Sequence, residues 1–301
     1  MKVAFVVLHY ITYQETSECV TSILRNIAYK NLEVVIVDNN SPNDSVEFLE
    51  QKFAHLSNIH FIKNESNLGY AKGNNVGYQY AKHELGADFI IFLGNDTLIE
   101  QKDFLDKMLT VYEDCSPHII GPSIYSTTRD CYQSPLRTKM LQKKDIQKRL
   151  RRHKLKNFLI KTRLWYPAHR MIVLGRKLSQ RTDKQDRIDC QSWDTAQEGV
   201  VLHGSCLIFT PLYVSRYRGI YNQTFMFMEE DILSYIAYKE KLRVLYCPSI
   251  QVLHIEDAAT DAAYPDESSK VLFISSNAIE SGELLLKLMS GENCYKKTLI
   301  E

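Results

Sequence analysis

No Cys-x-x-Cys pair and no short repeated spacing occurs among the seven cysteines of this 301-residue chain, which speaks against a disulfide framework. An odd, dispersed set points to reduced thiols and a cytosolic compartment. Net charge is almost absent: 37 Lys and Arg against 36 Asp and Glu leave +1, so the chain as a whole is not built to hold a polyanion. With no reader motif present either, nucleic acid is not expected as a partner. Long apolar runs are also lacking. Val3 to Leu8 is too brief for a signal peptide or a bilayer span, and no other stretch approaches that length. The expectation is a cytoplasmic protein, soluble or held peripherally at the inner face of the membrane. Internal repeats, low-complexity tracts, G-x-G-x-x-G and the Gly-Lys-Ser/Thr ending of a P-loop are missing, so no dinucleotide or Walker fingerprint is available.

What is present can form a core: 45% hydrophobic and 11% aromatic residues suit one large domain or two small ones. In the first third, β-rich runs at Val3 to Leu8, Leu32 to Val37, Ile59 to Ile62 and Phe89 to Leu93 read as buried strands. Between them Cys19, Val20, Ile23, Leu24 and Ile27 recur at helical spacing. Val46, Leu49 and Phe53 form a second stripe behind an Asn43-Asp44-Ser45 capping region. This β-α-β order predicts an α/β fold, a mostly parallel sheet with helices on both faces and ligands at the strands' carboxyl ends. From Leu136 to Leu164 about a dozen Lys and Arg face a single acid, Asp145, and the segment reads as an insertion. Apolar patterning resumes at Val200 to Thr210, then comes a helix near Glu230 to Glu240, β-like runs at Val244 to Tyr246 and Gln251 to His254, and a closing helix from Lys270 to Met289.

Four constellations carry the chemistry. Val35-Ile36-Val37-Asp38-Asn39 delivers a carboxylate and an amide to the end of a strand, where they can accept from a base or ribose, or simply start a turn. Asn67-Leu68-Gly69-Tyr70-Ala71-Lys72-Gly73-Asn74 runs a glycine-bearing loop into a helix. That is either a phosphate approach or an ordinary amide-capped start. Phe92-Leu93-Gly94-Asn95-Asp96 ends a strand on a carboxylate suited to a hard divalent cation, or to capping the next element. Met228-Glu229-Glu230-Asp231 sets three acids behind an apolar run, as candidate bases or as a charged helix start, with His254 closing a later run.

Taken in order, these segments resemble the inverting glycosyltransferases of family two, enzymes of the GT-A fold that extend bacterial polysaccharides. The likeness covers roughly Met1 to Tyr125 and Gly204 to Thr260. It implies a nucleotide-sugar-binding half over residues 1–125, a basic helical insertion over 126–199, an acceptor and catalytic half over 200–265, and a helical segment over 266–301. It places a UDP- or dTDP-sugar donor against His9, Asp38, Asn39, Gly69, Gly73, Asn74 and Asn95. A cation, Mn²⁺ or Mg²⁺, falls to Asp96 and His254, with Gly94 standing where the family's metal motif usually has an acid or amide. The acceptor side falls to Gly204, Ser205 and Glu229. The base falls on Glu230, or on Asp231 after a one-residue slip.

By this resemblance the reaction is a single inverting displacement onto a hydroxyl of a glycan or a polyprenyl-diphosphate-linked glycan. In the insertion, Leu155, Phe158, Leu159, Leu164 and Trp165 interleave with Arg and Lys, a pattern for an interfacial helix on anionic lipid, a solvated basic helix or a subunit contact. Two rival functions stand beside the enzyme. Gly94 favours a nucleotide-sugar-binding partner or scaffold with little activity. A nucleotidyltransferase ranks lower, because His9-Tyr10-Ile11-Thr12-Tyr13 offers no glycine-rich loop.

Overall fold

The computed structural model describes residues 1–162, 165, 193–255, 263, 266–292 and 295–300. Strands and helices alternate at first: β1 Val3–His9, α1 Tyr13–Asn26, β2 Leu32–Asp38, α2 Ser45–Phe53, β3 Ile59–Lys63, α3 Gly69–His83, β4 Phe89–Gly94, β5 Thr97–Leu98, α4 Phe104–Cys115 and β6 Ile119–Ser126. There follow β7 Cys131–Tyr132, α5 Lys143–Lys161, β8 Gln197–Glu198, β9 Cys206–Phe209, α6 Pro211–Val214, α7 Glu229–Glu240, β10 Val244–His254, α8 Glu267–Ser290 and α9 Lys296–Leu299.

One ten-stranded sheet runs β3-β2-β1-β4-β9-β6-β10-β5, with β7 on β6 and β8 on β10. β1, β2, β3 and β4 are parallel neighbours, and β6 is parallel to β10. β9 lies antiparallel to both β4 and β6, so the six long strands β1, β2, β3, β4, β6 and β10 share one direction. The expected mostly parallel sheet is therefore present, with β9 as the reversed strand at its centre. The two runs expected at 244–246 and 251–254 are one strand, irregular between Cys247 and Gln251, where Pro248 offers no ladder N–H.

Burial on both faces explains why the central strands read as continuous apolar runs rather than alternating ones. Val3, Phe5 and Val7 enter a core with Val20 and Ile23 of α1, Leu49 of α2 and Phe104 of α4. Ala4 and Val6 enter the other core, with Tyr78 of α3, Ile232 of α7, Ile146 and Leu150 of α5 and Leu285 of α8. The basic insertion does form a helix, α5, and it packs along α8. Arg163, Leu164 and 166–192 of the expected insertion lie outside the described residues, as do 256–262.

Two local expectations change. Asp44 occupies the α2 N-cap without a side-chain bond to the helix, because Ser45 is turned to Asn43 and His9 instead. Gly73 and Gly77 are packing residues. A Cβ on Gly73 would lie 2.6 Å from Leu8 Cδ1, and one on Gly77 would strike Val6 and sit 2.8 Å from Val37 Cγ2. Gly73 and Gly77, four residues apart, lay one face of α3 directly on β1 and β2. Cys19, Cys206 and Cys247 are buried thiols. No described helix is long and apolar enough to cross a membrane.

Gly77→Ala sets intrinsic propensity against packing. Alanine favours a helix interior by about 1 kcal/mol, whereas overpacking costs about 1–3 kcal/mol. Urea unfolding should show net destabilisation; a variant more stable than the parent would mean that α3 does not rest on the sheet this closely.

Candidate active site

The register sets His9 beside Asp38 and Leu8 beside Gly94, so β1, β2 and β4 end level with one another. A cleft of about 390 Å³ opens over these ends, bounded across the sheet by Gly204, Ser205 and the Phe225–Glu230 segment. Asn39, Gly69, Asn74, Asn95, Asp96, Gly204, Ser205, Glu229, Glu230 and His254 all line it. His9, Asp38, Gly73 and Asp231 do not.

The residues outside the lining work one step behind it. His9 is fully buried, its pKa lowered to about 4 by burial, with Asp38 pulling the other way. Its Nδ1 lies 2.7 Å from Thr16 Oγ1, and Thr16 donates to the Thr12 carbonyl at 3.0 Å. Thr16 Oγ1 also accepts from Asn95 Nδ2 at 3.0 Å. His9 thus holds Asn95 rather than a ligand. Asp38 accepts the Ser41 hydroxyl at 2.6 Å and the Ser41 N–H, the turn-starting arrangement. Gly73 is inside α3 against Leu8, where it cannot cradle a phosphate.

Asn39 organises the next loop. Its Nδ2 donates to Asn67 Oδ1 and the Gly69 carbonyl, and its Oδ1 accepts from Leu68 N–H and Asn64 Nδ2. Gly69 has φ +76°, and a Cβ there would collide with the Phe225 carbonyl, to which Tyr70 N–H donates at 2.9 Å. Glycine at 69 is what allows the loop to touch the opposite wall.

Across the cleft floor, His254 Nε2 lies 3.3 Å from Asp96 Oδ1. His254 Nδ1 sits 2.7 Å from Gln133 Oε1, so Nδ1–H donates and Nε2 is left to face the carboxylate. Two acceptors facing each other at this distance call for a proton or a cation between them. That fits a hard cation held by two side chains and completed by water and diphosphate oxygens. Among the described residues no cluster of three His, Cys, Asp or Glu is arranged to hold a metal, so any such cation depends on outside ligands. Gly94 has a steric reason: its Cβ would lie 2.9 Å from Asp96 Oδ1 and 3.0 Å from Thr97 Oγ1. The neighbouring His203, ring centroid 5.6 Å from His254, is kept neutral, its pKa lowered to about 3 by burial and by His254.

On the other wall α7 opens with the three acids. Glu230 reaches the cleft, where its carboxylate takes the Gly204 N–H; burial raises its pKa, Asp231 adds to that, and its own N–H, Arg137 and Gly204 oppose it. Glu229 is buried, accepts the Thr224 hydroxyl at 3.2 Å, and is pushed up to about 8 by burial and then by Glu230. Asp231 is turned into a buried ion pair with Arg137. Between the two alternatives for a base, the geometry thus favours Glu230. The sequence did not single out Arg137, Gln133 or Tyr70. Tyr70 donates to the Gly204 carbonyl at 2.6 Å, and burial followed by Glu230 raises its pKa. Phe227 and Met228, with φ of 70° and 69°, are consecutive left-handed non-glycine residues directly before the acids. Such backbone costs about 1–3 kcal/mol per residue and gathers at functional sites.

Comparison with known proteins then bears on this cleft. The family model described as Glycosyl transferase family 2 matches residues 5–182. The chain is 34% identical over 92 residues to the low-salt glycan biosynthesis hexosyltransferase Agl10 of Haloferax volcanii, covering 31% of this chain and 28% of that protein. It is 28% identical over 122 residues to the dTDP-rhamnosyl transferase RfbF of Shigella flexneri, covering 40% and 39% respectively. These matches thus span well under half of each relative's length. Among solved structures, S. aureus TarS 1-349 in complex with UDP aligns with a TM-score of 0.53 at 14% identity, over 91% of this chain and 65% of that one. The structural likeness is one of fold and bears out the GT-A-like architecture.

Glu229 yields a pH prediction. Its carboxyl binds a proton more readily folded than unfolded, so its stabilising contribution is complete below about pH 4.5 and is lost as pH rises towards about 8. Glu229→Gln should gain stability relative to the parent across that window, with a limiting slope of about 1.4 kcal/mol per pH unit. Denaturant titrations at several pH values test this. A pH-independent difference would place Glu229 in contact with water.

Proposed function

We propose that this chain, which belongs to glycosyl transferase family 2, transfers a sugar from a nucleoside-diphosphate sugar to a glycan or lipid-linked glycan hydroxyl with inversion, in bacterial surface polysaccharide synthesis. The observation that carries the reading is that Glu230 and the Asp96–His254 pair open on one cleft. Its donor is a UDP- or dTDP-sugar. Support comes from the names of the relatives, a hexosyltransferase and a dTDP-rhamnosyl transferase, and from TarS 1-349, whose structures include complexes with UDP and UDP-GlcNAc. In the division of labour implied by the resemblance, 1–125 serves the donor, 200–265 the acceptor, and 126–199 and 266–301 flank them.

Glu230 takes the proton of the acceptor hydroxyl as that oxygen attacks the anomeric carbon, and the Gly204 N–H holds the carboxylate in place. A raised pKa makes Glu230 a better proton acceptor than a solvated carboxylate while leaving it ionised above that value. Glu229, protonated at neutral pH, adds no second charge to this wall. On the floor, Asp96 and His254 would hold Mn²⁺ or Mg²⁺, which supplies neutralisation of charge growing on the leaving diphosphate. Asn74 and Asn95 line the donor side of the cleft, Asn39 holds the loop at Asn67 and Gly69 against it, and His9 and Asp38 brace their own segments.

The acceptor's lipid would bring the protein to a membrane, and α5 presents a face suited to that. Leu155 and Phe158 are 57% and 59% exposed, on the outer side of the helix from buried Ile146 and Leu150. Exposed Arg151 and Arg152 precede them along the helix, Lys156 lies between them and Lys161 follows. Basic charge with apolar anchors matches an anionic lipid surface better than solvent alone.

Two measurements test these assignments. With a panel of nucleotide sugars, Glu230→Gln should keep donor affinity and lose turnover by about 100-fold or more, whereas Asp96→Asn should abolish divalent-dependent donor binding. Parental turnover in the first variant would move the base elsewhere, and chelator-insensitive affinity in the parent would take the metal out of the mechanism. For the membrane face, vesicles containing phosphatidylglycerol should float the protein at low salt and release the Leu155→Ser/Phe158→Ser variant. Absence of parental binding refutes that role.

A further inference from the structure

Three consecutive acids open α7, and the proposed reaction needs only one of them ionised and facing the cleft. The group that sorts them comes from the insertion. Arg137 is tied by its backbone to Val201: Val201 N–H donates to the Arg137 carbonyl at 2.8 Å, and Arg137 N–H to the Val201 carbonyl at 3.3 Å. Val201 lies three residues before Gly204, whose N–H holds Glu230. The Arg137 guanidinium forms an ion pair with Asp231, whose side chain is 6% exposed, and Arg137 Nε is buried without a partner. A cation sunk this far is anchored at both ends, by its bridge and by its carboxylate.

Resting on the reading of Glu230 as base, we infer that Arg137 is a positioning residue that neutralises Asp231 and holds the first turn of α7 so that Glu230 alone presents its charge to the acceptor. The groups that face this turn are few. Glu229 and Asp231 flank Glu230 on its own helix, Tyr70 of α3 approaches from beside Gly204, and Arg149 of α5 acts on Asp231 from the insertion. Asp96 lies across the cleft among the acids that act on Tyr70. Of the basic groups among these, only Arg137 acts on both Asp231 and Glu230. Removing it takes the ion-pair partner from Asp231, leaving Arg149 as the named cation that acts on it, and takes a positive charge from Glu230; both effects favour the protonated form of Glu230. Removing Asp231 together with Arg137 takes away one charge of each sign.

That cancellation makes the test specific. The pH dependence of kcat/KM is measured for the parent, Arg137→Met, Asp231→Asn and the double variant, each first shown to be folded by circular dichroism. Arg137→Met should lose about 10-fold or more at pH 7, with the loss closing as pH rises and the acidic limb displaced upwards. The double variant should return the limb towards the parent's, and it keeps the test available if the single change, which strands a buried carboxylate, does not fold. A pH-independent loss in Arg137→Met, or a double variant whose limb is displaced as far as that of Arg137→Met, overturns the inference. Failure of the base reading has a different signature: Glu230→Gln then retains parental turnover, and the acidic limb survives in it.

Discussion

Two consecutive residues, Gly204 and Ser205, hold the cleft together through their backbone. The Ser205 carbonyl accepts Gly94 N–H at 2.7 Å, the Gly204 carbonyl accepts the Tyr70 hydroxyl at 2.6 Å, and the Gly204 N–H holds Glu230. Residues 70, 94 and 230 are thereby fixed about one short stretch of main chain. A Cβ at 204 would lie 2.7 Å from Glu230 Oε1, so glycine there lets the carboxylate come this near the main chain. The stretch is delivered by β9, the strand that runs against its neighbours β4 and β6. Reversing one strand points its amino-terminal end at the carboxyl ends of the others. Ligand-binding ends of a parallel sheet thus acquire a fixed partner from the second half of the chain.

Such a site concentrates buried polarity and backbone strain, and the remainder of the fold must hold it. Phe227 and Met228 keep positive φ while Tyr70 N–H and the Ser281 hydroxyl, at 2.9 and 3.0 Å, fasten the Phe225 and Met226 carbonyls immediately before them. Beneath the cleft Tyr78, Phe92, Phe209 and Tyr213 pack ring against ring, with centroids between 4.8 and 6.0 Å. A rigid aromatic layer of this kind resists the small backbone shifts that would relax the strained turn.

Much of this was legible because buried strands and amphipathic helices write their period into the chain. β1 to β4 and α1 to α3 follow the apolar runs and stripes closely, and four of the site's segments end strands or begin helices where the pattern breaks. What was not legible is side-chain direction. Asp38 and His9 sit at strand ends, as ligand-binding residues do, yet they bond to Ser41 and Thr16 and leave the cleft to Asn39 and Asn95. Gly73 lies in a phosphate-like loop sequence, but its four-residue spacing from Gly77 encodes close packing on β1. That spacing was available in the sequence. The Arg137–Asp231 pair, separated by 94 positions, was not, because nothing local in either segment names its partner.

The family match ends at residue 182, short of α7 and His254, so the two halves of the site rest on different kinds of support. For the first half, Asn39, Gly69 and Asp96 fall within the matched residues and line the cleft. For the second, the argument is physical: a carboxylate in a cleft, held by a main-chain N–H, with its neighbours neutralised in two different ways. Glu229 is neutral through its proton and Asp231 through Arg137. Three acids in a row would otherwise repel one another and the diphosphate of any donor in the same cleft. Leaving one charge out of three gives a wall that can accept a proton without expelling the anionic ligand it serves.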